Sequence, residues 1–212
     1  MENDTLRSEL ARHEIVLPDD QIKQLDAYRE ILWDWNTKLN LTRHTDYERF
    51  VGRDIVDSLA IAEFLEPNER ILDMGTGGGV PGIILAIVRP DLKVSLAESV
   101  GKRAKAVADI VERLDLKVPV YAKRAEDVLK IYRFNTVVVR AVAKLAKLLR
   151  WLDPCWGSFD RLLTLKGPSW VEERGEARHL GYLSKHDLRK LTSYTMHGTE
   201  AESVLLQVKP KE

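Results

Sequence analysis

The chain has 212 residues, near the upper end for one ordinary domain, so it can bury a sizeable core without disulfides or a structural metal. Hydrophobic residues at 44% and charged residues at 31% exclude wholesale disorder, and 33 basic residues balance 33 acidic ones, which argues against a general nucleic-acid coat. One cysteine, Cys155, points to a reducing, cytoplasmic setting; the polar start and the short apolar run Ile83 to Val88 offer neither a secretion core nor a membrane span.

The first third reads as helix. Ile22, Leu25, Leu32, Trp35 and Leu39 follow Pro18-Asp19-Asp20 at helical spacing, and Asn36 to Thr42 reads as a frayed end and a turn. Thr45 and Glu48 suggest a capping box for a second stripe of Phe50, Val51, Ile55, Leu59, Ala62 and Leu65, closed by Glu66-Pro67. The chain therefore divides into a helical N-terminal extension, residues 1–66, and a core, residues 67–212.

Strands then alternate with helices. Strands are expected at 70–74, 93–98, 118–122, 135–139, 160–166, 188–194 and 203–209. Helices are expected after the glycine loop to Val88, at 102–114, at 145–152 and at 170–180. This predicts an α/β fold, a seven-stranded and mostly parallel sheet with helices on both faces. In such sheets ligands sit at the carboxyl ends of the strands.

Chemistry concentrates there. Asp73-Met74-Gly75-Thr76-Gly77-Gly78-Gly79-Val80-Pro81-Gly82 joins the first strand to its helix. So many glycines are more than a flexible turn, because they let the backbone approach a ligand closely. Gly77, Gly79 and Gly82 also fit dinucleotide-binding spacing, with Glu98 about where a ribose-binding acid belongs. Asp73 weighs against that: a carboxylate repels a pyrophosphate but suits an ammonium group, such as that of S-adenosylmethionine. Glu98 alone reads as a solvated loop charge, or as a ribose acceptor. Glu126 and Asp127 read equally as an adenine-side pair or as helix N-terminal charges.

Arg140 closes the apolar run Val137 to Val139, so it needs a partner or an opening. Lining the site is preferred over a structural ion pair, and Lys166 repeats the logic one strand on. No Asn/Asp-Pro-Pro-aromatic turn follows the fourth strand, Cys155 lies too late to be a strand-end nucleophile, and neither a His/acid pair nor metal-ligand spacing stands out. Without an obvious base, an acceptor atom with its own lone pair, such as guanine N7, fits. Lys102, Arg103 and Lys105, and Lys144, Lys147 and Arg150, offer an RNA rim or merely solvated helix faces. A small-molecule methyltransferase and a nucleotide (NAD)-binding module remain open.

Several segments occur together in order: Trp35-Asn36-x-x-Leu39-Asn40-Leu41-Thr42, Asp57-Ser58-Leu59, Leu72 to Gly82, Gly101-Lys102-Arg103, Arg140-Ala141 and Leu165-Lys166-Gly167. In these the chain is similar to the bacterial glucose-inhibited division protein B family, small-subunit rRNA guanine-N7 methyltransferases, from about Leu17 to Lys209. The resemblance implies a Rossmann-like class I methyltransferase, S-adenosylmethionine, and a guanine of 16S rRNA or the small ribosomal subunit near the decoding centre; a monomer is expected. It implies cofactor contacts from Gly75, Val80, Ala125, Glu126 and Arg140, and Asp73 and Gly77 of the glycine loop are taken as cofactor-binding with them. It places Glu98 at the ribose, and Arg140 and Lys166 at the guanine, with no metal. Two positions depart from the family pattern: Gly78 stands where proline is common and Asp54 where histidine is usual.

Overall fold

The computed structural model describes residues 5–195 and 199–211. Its helices and strands run α1 (Leu6–Arg12), α2 (Asp19–Asn36), α3 (Tyr47–Arg49), a π-helical stretch (Phe50–Ile55), α4 (Val56–Ala62), β1 (Arg70–Met74), α5 (Gly82–Val88) and β2 (Lys93–Ala97). They continue as α6 (Gly101–Arg113), β3 (Val120–Tyr121), α7 (Ala125–Leu129), β4 (Thr136–Arg140), α8 (Leu145–Leu152), a 3-10 turn (Asp153–Ser158), β5 (Arg161–Lys166), α9 (Trp170–His179), β6 (His186–Thr195) and β7 (Glu202–Pro210).

Among the described residues seven strands form one sheet in the order β3-β2-β1-β4-β5-β7-β6. β1 pairs in parallel with β2 and β4, β2 with β3, and β4 with β5. β7 is antiparallel to both β5 and β6. The order reverses between β1 and β4, so a crevice opens where their carboxyl ends diverge.

Side-chain alternation sorts each strand between two apolar layers. Ile71, Leu96, Val138 and Leu163 face one cluster, with α5, α6 and the helices of the N-terminal extension. Leu72, Val137, Val139 and Leu162 face the other, with α7, α8 and α9. Central strands covered on both sides thus read as unbroken apolar runs. Tyr28, Leu32, Phe50 and Ile55 of the extension are buried in the same cluster as Ile83 and Ile84 of α5.

Several expectations are corrected. The cap of the second helical segment is Asp46, whose Oδ1 accepts from the Arg49 amide at 2.7 Å; Thr45 is one residue early. That segment is not one uniform α-helix, since a π stretch intervenes between α3 and α4. α1 was not foreseen; Thr5 and Ser8 cap it reciprocally, and Leu6 and Leu10 bury one side. β3 is shorter than expected: proline lacks an amide donor, and Pro119 offers only its carbonyl, to the Leu96 amide.

Candidate active site

Asp73 sits near the end of β1, and one of its oxygens closes the glycine loop. Its Oδ2 accepts from the Thr76 hydroxyl at 2.6 Å and from the Gly82 amide at 2.9 Å. Gly82 must be glycine for this, because a Cβ would lie 2.7 Å from that same oxygen. The other oxygen, Oδ1, is buried without a hydrogen-bond partner. Leaving such an acceptor unpaired costs about 1–3 kcal/mol. Burial pushes the Asp73 pKa up to about 6, against the hydrogen bonds from Thr76 and Gly82.

Glu98, just after β2, holds the loop from the other side. Its Oε2 accepts from the Gly77 amide at 3.0 Å and its Oε1 from the Val100 amide at 2.8 Å. At 4% exposure it is not a solvated charge. Gly75 adopts φ +70°, and a Cβ there would lie 2.8 Å from Val142 Cγ2.

A cavity of about 150 Å³ lies at these strand ends. Gly75, Ser99, Ala125, Glu126, Val142 and Trp151 line it, together with the basic pair Lys123 and Arg124. Of the expected cofactor residues, Gly75, Ala125 and Glu126 are at this cavity, while Asp73, Gly77 and Glu98 form the hydrogen-bonded support of the loop. Val80 packs against the apolar cluster that holds Leu32 and Ile83 and does not line the cavity. Ala125 to Leu129 form the short helix α7, so Glu126 and Asp127 do occupy a helix's first turn. Cys155 is buried beside α7 with its thiol 3.9 Å from the Glu126 carbonyl, and burial raises its pKa, which leaves it a poor nucleophile.

A larger cleft of about 660 Å³ lies beyond Val142. Arg140, Ala141 and Lys166 line it from the core, and Thr42, His44 and Arg53 from the extension. Arg140 borders the cleft and also belongs to an ion-pair cluster, the structural role weighed for it. Its Nη2 lies 2.5 Å from Asp54 Oδ1 and its Nε 3.5 Å from Asp57 Oδ2, while its buried Nη1 has no partner. Burial opposes the charge, yet Asp54 and Asp57 hold its pKa above the ordinary guanidinium value. Lys166 donates to the Ala143 carbonyl at 2.6 Å and pairs with Glu173 at 2.9 Å, so its ammonium is already partnered.

The structure contains a His/acid pair that did not stand out in the sequence. His44 Nδ1 lies 2.7 Å from Asp54 Oδ1, inside the cleft. The pair was invisible because ten residues and a change from loop to π-helix separate the two. The loop that carries His44 is shaped by Asn36, whose Oδ1 accepts from the Leu41 and Thr42 amides at 2.8 and 3.0 Å. Trp33 Nε1 then donates to the His44 carbonyl at 2.9 Å. Asp54, the departure from the family pattern, therefore joins His44 to Arg140.

Lys144, Lys147 and Arg150 are exposed and line a further cavity of about 450 Å³ beside Val142. Lys102, Arg103 and Lys105 are exposed on α6. Among the described residues no three His, Cys, Asp or Glu side chains are grouped to hold a metal ion, and no helix is long and apolar enough to cross a membrane.

Residues 21–202 match the GidB family, described as rRNA small subunit methyltransferase G. The chain is similar to ribosomal RNA small subunit methyltransferase G of Rhodopirellula baltica, with 53% identity over 178 residues, 84% of this chain and 77% of that protein. The same enzyme of Thermotoga petrophila is 35% identical over 206 residues, covering 96% of this chain and 89% of the relative. Among solved structures, TrmK of M. capricolum in complex with S-adenosyl-homocysteine superposes with a TM-score of 0.58 at 14% identity, over 74% of this chain and 68% of that one. Precorrin-6y C5,15-methyltransferase of Geobacter metallireducens gives 0.53 at 12% identity, over 74% of this chain and 86% of that one. These two likenesses concern the fold, an α/β Rossmann-like methyltransferase sheet. With the family match across most of its length, the chain belongs to the rRNA small subunit methyltransferase G family.

Proposed function

We propose that this methyltransferase moves a methyl group from S-adenosylmethionine to N7 of a guanine in 16S rRNA, as naked RNA or in the small ribosomal subunit. The observation that carries the donor is Asp73: a buried carboxylate oxygen without a partner, at a loop where Gly77 takes φ +61° and a Cβ would meet nothing nearer than 3.9 Å. That oxygen would take the ammonium of the methionine moiety. The amide-rich loop from Gly75 through Gly77 to Val80 would hold its chain, Glu98 the ribose hydroxyls, and Ala125 and Glu126 the adenine. When bound, S-adenosylmethionine supplies an electrophilic methyl carbon on a sulfonium.

Arg140 would face both cofactor and acceptor, and Lys166 would position the guanine through the cleft wall that it and Ala143 build. Guanine N7 offers its lone pair without first losing a proton, so in-line attack asks these residues for position more than for base catalysis. Positioning of this kind is worth roughly 7–11 kcal/mol in good cases. His44 and Asp54 have the arrangement of a base and its orienting acid, but Asp54 is committed to Arg140 as well. Direct attack therefore predicts that kcat/KM is flat from about pH 7 to 9, whereas a base mechanism bends the profile near the base's pKa. The protein would act as a cytoplasmic monomer, with residues 1–66 and 67–212 forming one unit.

The test is methyl transfer from labelled S-adenosylmethionine to rRNA and to small subunits, with mapping of the product. One N7-methylated guanine is the expected result. Label in neither RNA form overturns the reading; binding of NAD in place of S-adenosylmethionine would favour a nucleotide-binding module instead.

A further inference from the structure

The acceptor cleft does not end at His44. A second chamber of about 430 Å³ adjoins it, and Arg43, His44 and Arg53 line both spaces. The outer chamber is completed by Arg49, Gly52, Glu48 and Thr199. Its charged lining is three arginines against one glutamate.

The arginines differ in their partners. Arg49 lies 3.6 Å from Asp46. Arg43 and Arg53 form no ion pair within 4.0 Å among the described residues, although Asp57 senses the charge of Arg53. Arg43 is exposed, whereas Arg53 is half-buried and its Nε is enclosed with no hydrogen-bond partner. The nearby acids that could have neutralised them are committed elsewhere: Asp54 to His44 and Arg140, Asp57 to Arg140 and Tyr194. Among the described residues Glu48 is the one carboxylate on the outer chamber and forms no ion pair with either guanidinium, so the two positive groups repel each other across an excess of positive charge, and the arrangement favours an anion between them. The wall is also rigid. The His44 amide donates to Thr42 Oγ1 at 3.0 Å, its carbonyl accepts from Trp33, and its ring is held by Asp54.

We propose that Arg43 and Arg53, with Arg49 at the rim, form a phosphodiester subsite that holds the RNA strand beside the target nucleotide. This rests on the reading that the acceptor is RNA. A phosphodiester presents two non-bridging oxygens and one negative charge, which suits the guanidinium fork. The subsite continues from the cleft containing Arg140 and Lys166, so a strand gripped there would enter the cleft from the side of the extension.

The test measures methyl transfer to a small-subunit rRNA transcript across a salt series, for the wild-type protein, Arg43→Gln, Arg53→Gln, the double variant and the two Arg→Lys variants. Each glutamine is expected to lower kcat/KM about tenfold at subsaturating RNA. Each is also expected to flatten the plot of log kcat/KM against log salt by about 0.7, the value for one lost contact to a single strand. The lysine variants should restore the slope, since lysine keeps the charge. S-adenosylmethionine affinity, measured by calorimetry, reports folding of each variant. Arg43 is exposed, so its substitution remains informative if Arg53→Gln fails to fold. Slopes unchanged in Arg43→Gln and in every folded variant overturn the subsite alone; a wild-type protein inactive on RNA overturns the acceptor reading and the subsite with it.

Discussion

Burial lifts the Asp73 carboxyl from 3.8 to about 6, so the role proposed for it makes cofactor affinity a function of pH. An ammonium ligand pairs with the ionised form. Affinity for S-adenosylmethionine should therefore hold above pH 6 and fall below it, approaching tenfold per pH unit, by calorimetry at a series of pH values. The stability effect has the opposite sign. Because the folded pKa is raised, the contribution of Asp73 to stability is fully present below 3.8 and is lost as pH rises through about 6. Asp73→Asn should thus be at least as stable as wild type at pH 8, while losing tenfold or more in cofactor affinity along with the pH dependence below 6. Asp73 was legible in the sequence because its position, one strand end before a glycine loop, is a local fact. The partners of Arg140 were not: Asp54 lies 86 residues away, and only the fold brings it to Arg140.

Helix α2 is fastened to the glycine loop by one polar contact. The Tyr28 hydroxyl donates to the Gly78 carbonyl at 3.0 Å, inside the core. Burial above all, and then the Asp54 carboxylate, raise the pKa of Tyr28 well above its usual value, so the hydroxyl keeps its proton and remains a donor. Tyr28→Phe should leave the Gly78 carbonyl unpaired, cost about 1–3 kcal/mol in chemical denaturation and weaken cofactor binding. Gly78 itself touches α2, since a Cβ there would lie 2.9 Å from Leu32 Cδ1. Long apolar or periodic elements such as β1, β4 and α8 were legible almost to the residue. Short ones were not: α1 buries mainly two leucines, and its cap uses Ser8 where the usual signal is a glutamate or glutamine.

The N-terminal extension meets β6 beside the cleft that holds Arg140. Tyr194 of β6 donates to Asp57 of α4 at 2.5 Å, spanning 137 residues, and Asp57 in turn faces Arg140. Burial raises the pKa of Asp57, opposed by Arg140 and by the Tyr194 hydrogen bond, and Tyr194 is itself raised by burial and by the carboxylate. At the opposite ends of the strands Arg161 clamps Glu69 at 3.0 Å and the Phe64 carbonyl at 2.6 Å, tying the end of the extension to β5. Tyr194→Phe should remove a charge-assisted hydrogen bond and cost about 1.5–3 kcal/mol, read as a lower denaturation midpoint with an unchanged slope. The overall architecture was legible because alternation of strands and helices constrains topology. These crossings were not, because each joins residues that no local pattern relates.

Val142 touches three compartments, the cofactor-side cavity, the acceptor cleft and the basic groove of α8. It follows Ala141, held at φ +54°, and its isopropyl group occupies the space that a side chain at Gly75 would need. One stiff, branched side chain thus sets the width of the passage between the cavity at Gly75 and the cleft at Arg140. Trimming it with Val142→Ala would widen that passage, and the enzyme should then accept donor analogues bearing an ethyl or allyl group in place of methyl, detectable by the mass added to the RNA.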